Sequence, residues 1–225
     1  MRMRALFSAA VVSLLGIAES VHAQSPAPTE WPAYGRDAGG SRFSPVAQVD
    51  RSNVSRLAVA WTYNTGEPGA ASRSFEATPI LVDGSLYLST PLGRIIALDP
   101  VTGAERWVHD AKVSPRAGFG DFTSRGVSAW RDSSAAAGSP CALRIIAATV
   151  DGRLMSLDAN TGRLCAGFGD NGIVSLRDGL RNSPIEFAEY EVTSPPAIVN
   201  GLIVVGSAVA DNMRIHAASG EVRAS

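Results

Sequence analysis

Gly93-Arg94-Ile95-Ile96-Ala97-Leu98-Asp99-Pro100-Val101-Thr102-Gly103 returns later in the chain as Gly152-Arg153-Leu154-Met155-Ser156-Leu157-Asp158-Ala159-Asn160-Thr161-Gly162. The glycines, the aspartates and the Thr-Gly pairs all share one offset, 59 residues. A fixed period of this length marks a repeat architecture in which one supersecondary unit is stacked several times. Working outward from the first copy, Thr78-Pro79-Ile80-Leu81-Val82 is an apolar run, and Asp83-Gly84 is a two-residue hairpin signal. Leu86 to Thr90 is strand-like, and so is Ile95 to Leu98. Asp99 to Gly103 is a turn, and Glu105 to Val108 closes the unit. Four short strands in antiparallel order make one blade of a β-propeller.

The second unit runs from Arg144 to Thr149, through Asp151-Gly152 to Asp158, and ends at Leu164-Cys165-Ala166. The third starts at Thr193, turns at Asn200-Gly201 (117 residues after Asp83-Gly84) and continues through Leu202 to Val205. Gly220-Glu221-Val222-Arg223-Ala224 resembles the opening of the repeat, but at an offset of 127 from Gly93. About ten residues are therefore inserted, roughly from Ala208 to Ser219. The sequence stops at Ser225, before a third Asp-x-x-Thr-Gly turn. The fold class expected is all-β, a β-propeller with about three blades present and the ring incomplete. The expectation is a partial reading frame; a short chain that assembles its ring from several copies is the alternative. Before the first blade, a helical turn is expected near Asp50 to Val54 and a strand over Leu57 to Tyr63.

The 225 residues are 45% hydrophobic and 18% charged, a globular balance. A net charge of −1 gives no electrostatic reason to expect nucleic acid as a partner. Arg2 and Arg4, an apolar stretch from Ala5 to Ile17 and Val21-His22-Ala23 read as a signal peptide over residues 1–23. That leaves 24–225 as a partial propeller domain, exported to a bacterial periplasm, with no transmembrane anchor after cleavage. A membrane anchor is the alternative, although the apolar stretch is short for a span. The two cysteines, Cys141 and Cys165, are 24 residues apart and suit no zinc motif. Their spacing leaves a disulfide and a pair of buried thiols equally open.

Propellers collect functional groups on loops at one end of the channel, so long insertions mark that end. One insertion is expected from Asp110 to Pro140 and the other after Ser207. The first contains Arg125, which can fork two hydrogen bonds to a carboxylate or carbonyl pair, or can be a solvated surface side chain. The second contains Asp211-Asn212, whose oxygens suit a hard cation such as calcium, or simply a turn. Glu76 is an inward carboxylate or a strand-end charge.

Phe75-Glu76-Ala77-Thr78-Pro79, Thr123-Ser124-Arg125-Gly126-Val127-Ser128 and Ser194-Pro195-Pro196 followed by Gly206 to Asn212 together resemble the quinoprotein dehydrogenases. The resemblance is closest to the membrane-type glucose dehydrogenase branch, and it covers the chain from Trp31 on. It implies an eight-bladed propeller in the intact protein, carrying pyrroloquinoline quinone (PQQ) and a calcium or magnesium ion. It implies cofactor contacts from Glu76, Arg125, Asp211 and Asn212, with Asp211 and Asn212 at the metal. The substrate implied is a sugar or polyol, and the electron acceptor a quinone or cytochrome. Phe119 and Gly120 stand where alcohol-oxidising relatives have adjacent cysteines, and Asp121 stands where the best-known glucose enzymes have a histidine. The family's general base is expected beyond residue 225, so these residues alone are expected neither to turn over substrate nor to hold PQQ tightly. The alternative is a cofactor-free propeller scaffold of the outer-membrane assembly type, or a nonfunctional gene remnant.

Overall fold

The computed structural model describes residues 29–67, 73–120, 122–209 and 215–224. The expected signal peptide lies outside the described residues. Among them, no helix is long and apolar enough to cross a membrane. The structure is all-β. β1 (Arg73–Thr78) leads into β2 (Ile80–Val82), β3 (Ser85–Ser89), β4 (Arg94–Leu98) and β5 (Glu105–Asp110). These last four form one antiparallel sheet in the order β2-β3-β4-β5. β6 (Phe122–Gly126) precedes a second four-stranded sheet built from β7 (Ser128–Arg131), β8 (Leu143–Ala148), β9 (Arg153–Asp158) and β10 (Ile173–Ser175). β11 (Tyr190–Glu191) precedes β12 (Ala197–Val199) and β13 (Leu202–Val205); β14 (Ala208–Val209) returns to pair with β11, and β15 (Arg223–Ala224) pairs with β13.

The central strands are continuous apolar runs because both of their faces are covered. Side chains alternate across a strand. Ile95 and Ala97 point into a core shared with Leu143, Ile145, Ala147, Met155 and Leu157 of the second blade. Ile96 and Leu98 point the other way, against Trp61 and Tyr63. Ile146, Ala148 and Leu154 then face Ile203 and Val205 of the third blade. Burying each such aliphatic side chain contributes about 1.5–3 kcal/mol, so face-to-face stacking of blades is the main source of stability.

The repeat also fixes how blades dock. Asp99 Oδ1 accepts the N–H groups of Val101 and Thr102 and the Thr102 hydroxyl. Asp158 Oδ1 does the same for Asn160 and Thr161. Each turn ends on a positive-φ glycine with a tryptophan ring laid on it. A Cβ on Gly103 would lie 2.5 Å from Trp61, and one on Gly162 would lie 2.5 Å from Trp107. Trp61 Nε1 donates to Pro100 O at 3.1 Å and Trp107 Nε1 to Ala159 O at 2.9 Å. Only glycine leaves room for the ring.

Register confirms the insertion in the third blade. Tyr87 pairs with Ala97 and Leu88 with Ile96; Val204 pairs with Ala224 and Val205 with Arg223. The first partners are 117 residues apart and the second 127.

Four sequence expectations change. Leu57 to Tyr63 is not a strand: Leu57 and Val59 are exposed, and the stretch serves to bring Trp61 and Tyr63 onto the first blade. The helical turn sits slightly later, at Val54–Arg56. Asp110 to Pro140 is not one insertion, because β6 and β7 lie inside it. The second blade does not end at Leu164–Ala166. Leu164 makes one isolated bridge to Leu157, the chain turns away at Cys165, and the outer strand is β10. Val108 pairs with Ile96 but Ile173 pairs with Met155, an offset of 65 instead of 59. Cys141 and Cys165 form a disulfide, with Cα atoms 5.9 Å apart, which ties that detour to the β7–β8 connection.

Candidate functional site

Each blade is reached through a short approach segment, and the three segments lie side by side. β1 runs parallel to β6, pairing Arg73 with Phe122, Ser74 with Thr123 and Phe75 with Ser124. The next pair is Thr78 with Gly126, so β1 carries one residue more than β6 across this interval. Such a bulge re-aims a side chain, and it falls at Glu76-Ala77. β6 in turn meets the third approach segment, where the Arg125 N–H donates to Thr193 O at 2.8 Å. Gly126 (φ +136°) permits the close approach, since a Cβ there would lie 2.9 Å from Thr78 O. The Thr123 hydroxyl donates to Ser74 O at 2.7 Å, and the buried Ser89 and Ser124 hydroxyls lie 2.7 Å apart.

This packing brings three polar side chains together. Arg125 Nε lies 2.9 Å from Glu76 Oε2, with the two side chains 34% and 36% exposed. Arg125 Nη1 donates to Thr193 Oγ1 at 2.6 Å. Glu76 stands four residues before the first residue of β2, Arg125 three before β7, and Thr193 four before β12. The guanidinium is thus oriented from both sides and still reachable from solvent. A planar cation held this way can fork hydrogen bonds to a carboxylate or quinone oxygen. Sequence reasoning singled out Glu76 and Arg125, and the structure joins them as an ion pair. It did not find Thr193, which was read only as the start of a strand. The signal available was positional, because Thr193 occupies in the third blade the place of Glu76 in the first.

Behind the site lies a buried charged cluster. Glu189 and Glu191 are 5% and 2% exposed. Arg177 Nη2 donates to Tyr190 O at 2.8 Å and Nε to Asp151 O at 3.2 Å. Burial lowers the pKa of Arg177, while the carboxylates of Asp151, Glu191 and Glu189 oppose the shift.

Asp211 and Asn212 lie outside the described residues, next to β14. Among the described residues, no three His, Cys, Asp or Glu side chains cluster closely enough to hold a metal ion.

A propeller with an arginine site on its approach segments defines a class, and comparison with known proteins shows which one. The family described as PQQ, glucose/ethanol/alcohol dehydrogenase, beta-propeller domain, matches residues 31–225. The chain is similar to the quinoprotein glucose dehydrogenase of Gluconobacter oxydans (strain 621H), 42% identical over 210 residues, covering 87% of this chain and 26% of that protein. It is also similar to the glycerol dehydrogenase large subunit of the same organism, 39% identical over 203 residues, covering 88% of this chain and 27% of the relative. Among solved structures, quinohemoprotein alcohol dehydrogenase from Comamonas testosteroni superposes with a TM-score of 0.65 at 28% identity, covering 83% of this chain and 24% of that one. The chain belongs to the PQQ-dependent glucose/ethanol/alcohol dehydrogenase β-propeller family. It spans about a quarter of the length of the curated relatives it matches.

Proposed function

We propose that the intact protein oxidises a CH–OH group of a sugar or polyol with PQQ as cofactor, and that the described residues supply one wall of the cofactor site. The observation that carries this reading is the Arg125 guanidinium, gripped by Glu76 and Thr193 and still about a third exposed, on the approach segments of a chain in this family. The donor set fits the cofactor: PQQ is a planar polycarboxylate quinone, and an oriented guanidinium with a neighbouring hydroxyl offers paired donors to such oxygens. When bound, PQQ supplies the two-electron acceptor for the substrate hydride. Glu76 orients Arg125, Arg125 binds and aligns the acidic and carbonyl oxygens, and Thr193 fixes the second edge of the guanidinium. Asp211 and Asn212 are assigned to the metal and cofactor end of the channel, with calcium or magnesium as the ion.

The glucose-type substrate is favoured by similarity to a glucose and a glycerol dehydrogenase. The base that takes the hydroxyl proton is assigned to residues beyond 225. Residues 1–225 alone are therefore proposed to be inactive. Export by residues 1–23 to the periplasm, residues 24–225 as the mature partial domain and a quinone or cytochrome acceptor complete the reading. A cofactor-free scaffold has no need of the Glu76–Arg125–Thr193 arrangement and is not favoured.

The test is reconstitution of the intact protein with PQQ and calcium or magnesium, followed by dye reduction with glucose, glycerol and simple alcohols. Sugar- or polyol-dependent reduction that requires PQQ is expected. No PQQ-dependent reduction with any of them overturns the proposal.

A further inference from the structure

Glu191 is among the most deeply buried charged residues described, 2% exposed, and it faces the site from behind. A buried carboxylate needs hydrogen-bond partners. One of its partners is unusual for a scaffold residue, because Oε1 accepts the backbone N–H of Gly120 at 2.5 Å. Gly120 ends the loop that connects the first blade to β6. Two residues after Glu191, Thr193 O accepts the Arg125 N–H, and the Thr193 hydroxyl takes Arg125 Nη1. One short stretch of the third blade's approach segment therefore grips both ends of Gly120–Arg125. Between those ends Phe122 is buried and stacks edge-on with Phe119, ring centroids 5.0 Å apart. The loop before Gly120 has little else to fix it, and nothing lies within 4 Å of a Cβ added at Gly118. A Cβ on Gly120 itself would sit 3.7 Å from Glu191 Oε1, an ordinary contact. The geometry therefore calls for the Gly120 amide as a donor and does not require a missing side chain.

We propose that Glu191 is a positioning residue for the cofactor site: its carboxylate holds the Gly120 amide and so sets where the loop before β6, and with it Arg125, stands. This rests on the reading of Arg125 as a cofactor ligand. The competing role, a counter-charge for Arg177 alone, predicts different behaviour of the amide variant. Glu191→Gln keeps an acceptor for Gly120 and loses the charge; Glu191→Ala loses both.

The experiment is hydrogen exchange over residues 117–126 in the intact protein, with the PQQ dissociation constant measured on the same variants. Glu191→Ala is expected to speed exchange across Gly120–Arg125 and weaken PQQ binding roughly tenfold, the size of one hydrogen bond to a charged group. Glu191→Gln is expected to restore both to within about threefold of the parent. Two results overturn the proposal: Glu191→Gln behaving like Glu191→Ala, or exchange in Glu191→Ala staying at the parent rate. If Glu191→Ala does not fold, Glu191→Asp, one methylene short of the Gly120 amide, is expected to show the same faster exchange, and unchanged exchange there overturns the clamp. Loss of PQQ binding in the parent itself would sink the cofactor reading, and the exchange arm would still decide the clamp.

Discussion

The Asp-x-x-Thr-Gly turns and the approach segments are built on the same repeat and behave in opposite ways. At the turns every contact returns after 59 residues: the aspartate takes the same three donors, the glycine receives a tryptophan ring, and the indole N–H reaches the same carbonyl position. At the approach segments, corresponding positions hold a glutamate, an arginine and a threonine, which bond to one another. Each turn has to satisfy the neighbouring blade in one identical way, so its chemistry is held constant. The approach segments pack against each other at one end of the blades, and there the repeat is free to vary.

That contrast can be attacked first where the expected effect is largest. Gly162→Ala puts a Cβ into the Trp107 ring at positive φ, and should destabilise by about 4 kcal/mol in a denaturant titration. Gly138→Ala shares the positive φ but meets open space, and should cost about 1 kcal/mol. Equal losses would mean that tryptophan docking does not dictate the turn glycine. Next, the second blade differs from the first in its disulfide, which closes a separation of 24 residues. Replacing Cys141 and Cys165 by serine should cost about 3 kcal/mol by loop-closure entropy, and unfolding of the oxidised and reduced protein would measure it. Arg125→Lys should change stability by less than about 1 kcal/mol, since its ion pair is partly exposed. The same substitution should weaken PQQ binding roughly tenfold or more, because lysine cannot reproduce the fork; a large stability loss with intact binding would reverse the roles assigned to turn and approach segment.

The smallest effect concerns acid. The Arg106 guanidinium, with Thr102 and Val101, holds the Asp99 carboxyl well below the usual carboxylate range. Its folded pKa is depressed, so its stabilisation is complete above the unfolded value of about 4 and fades as pH falls toward the folded value. Asp99→Asn should therefore flatten the acid limb of a plot of unfolding midpoint against pH. An unchanged limb would remove the turn aspartate from the account.

Much of the scaffold was legible because its signals are local. Ile80 to Val82, Ile95 to Leu98 and Leu154 to Leu157 are apolar runs buried on both faces, and the turns carry their own hydrogen-bond chemistry. Thr123 to Arg125 and Ser128 to Arg131 passed for loop because they are short and polar, and their pairing partners are distant in sequence. Leu57 to Tyr63 has strand composition but no partner strand among the described residues, and it is anchored by Trp61 and Tyr63. The Cys141–Cys165 bond depends on a 5.9 Å Cα separation that only the folded second blade creates. Thr193 and Glu191 escaped notice for the same reason, since both act through contacts between approach segments some 70 residues apart.

The central claim is that the approach segments form a cofactor site around Arg125. Equilibrium dialysis of the intact protein against PQQ, for the parent, Arg125→Ala and Gly138→Ala, tests it most directly. The account predicts saturable binding by the parent and Gly138→Ala, with binding by Arg125→Ala weakened by roughly a hundredfold. Equal affinity in the parent and Arg125→Ala would contradict it.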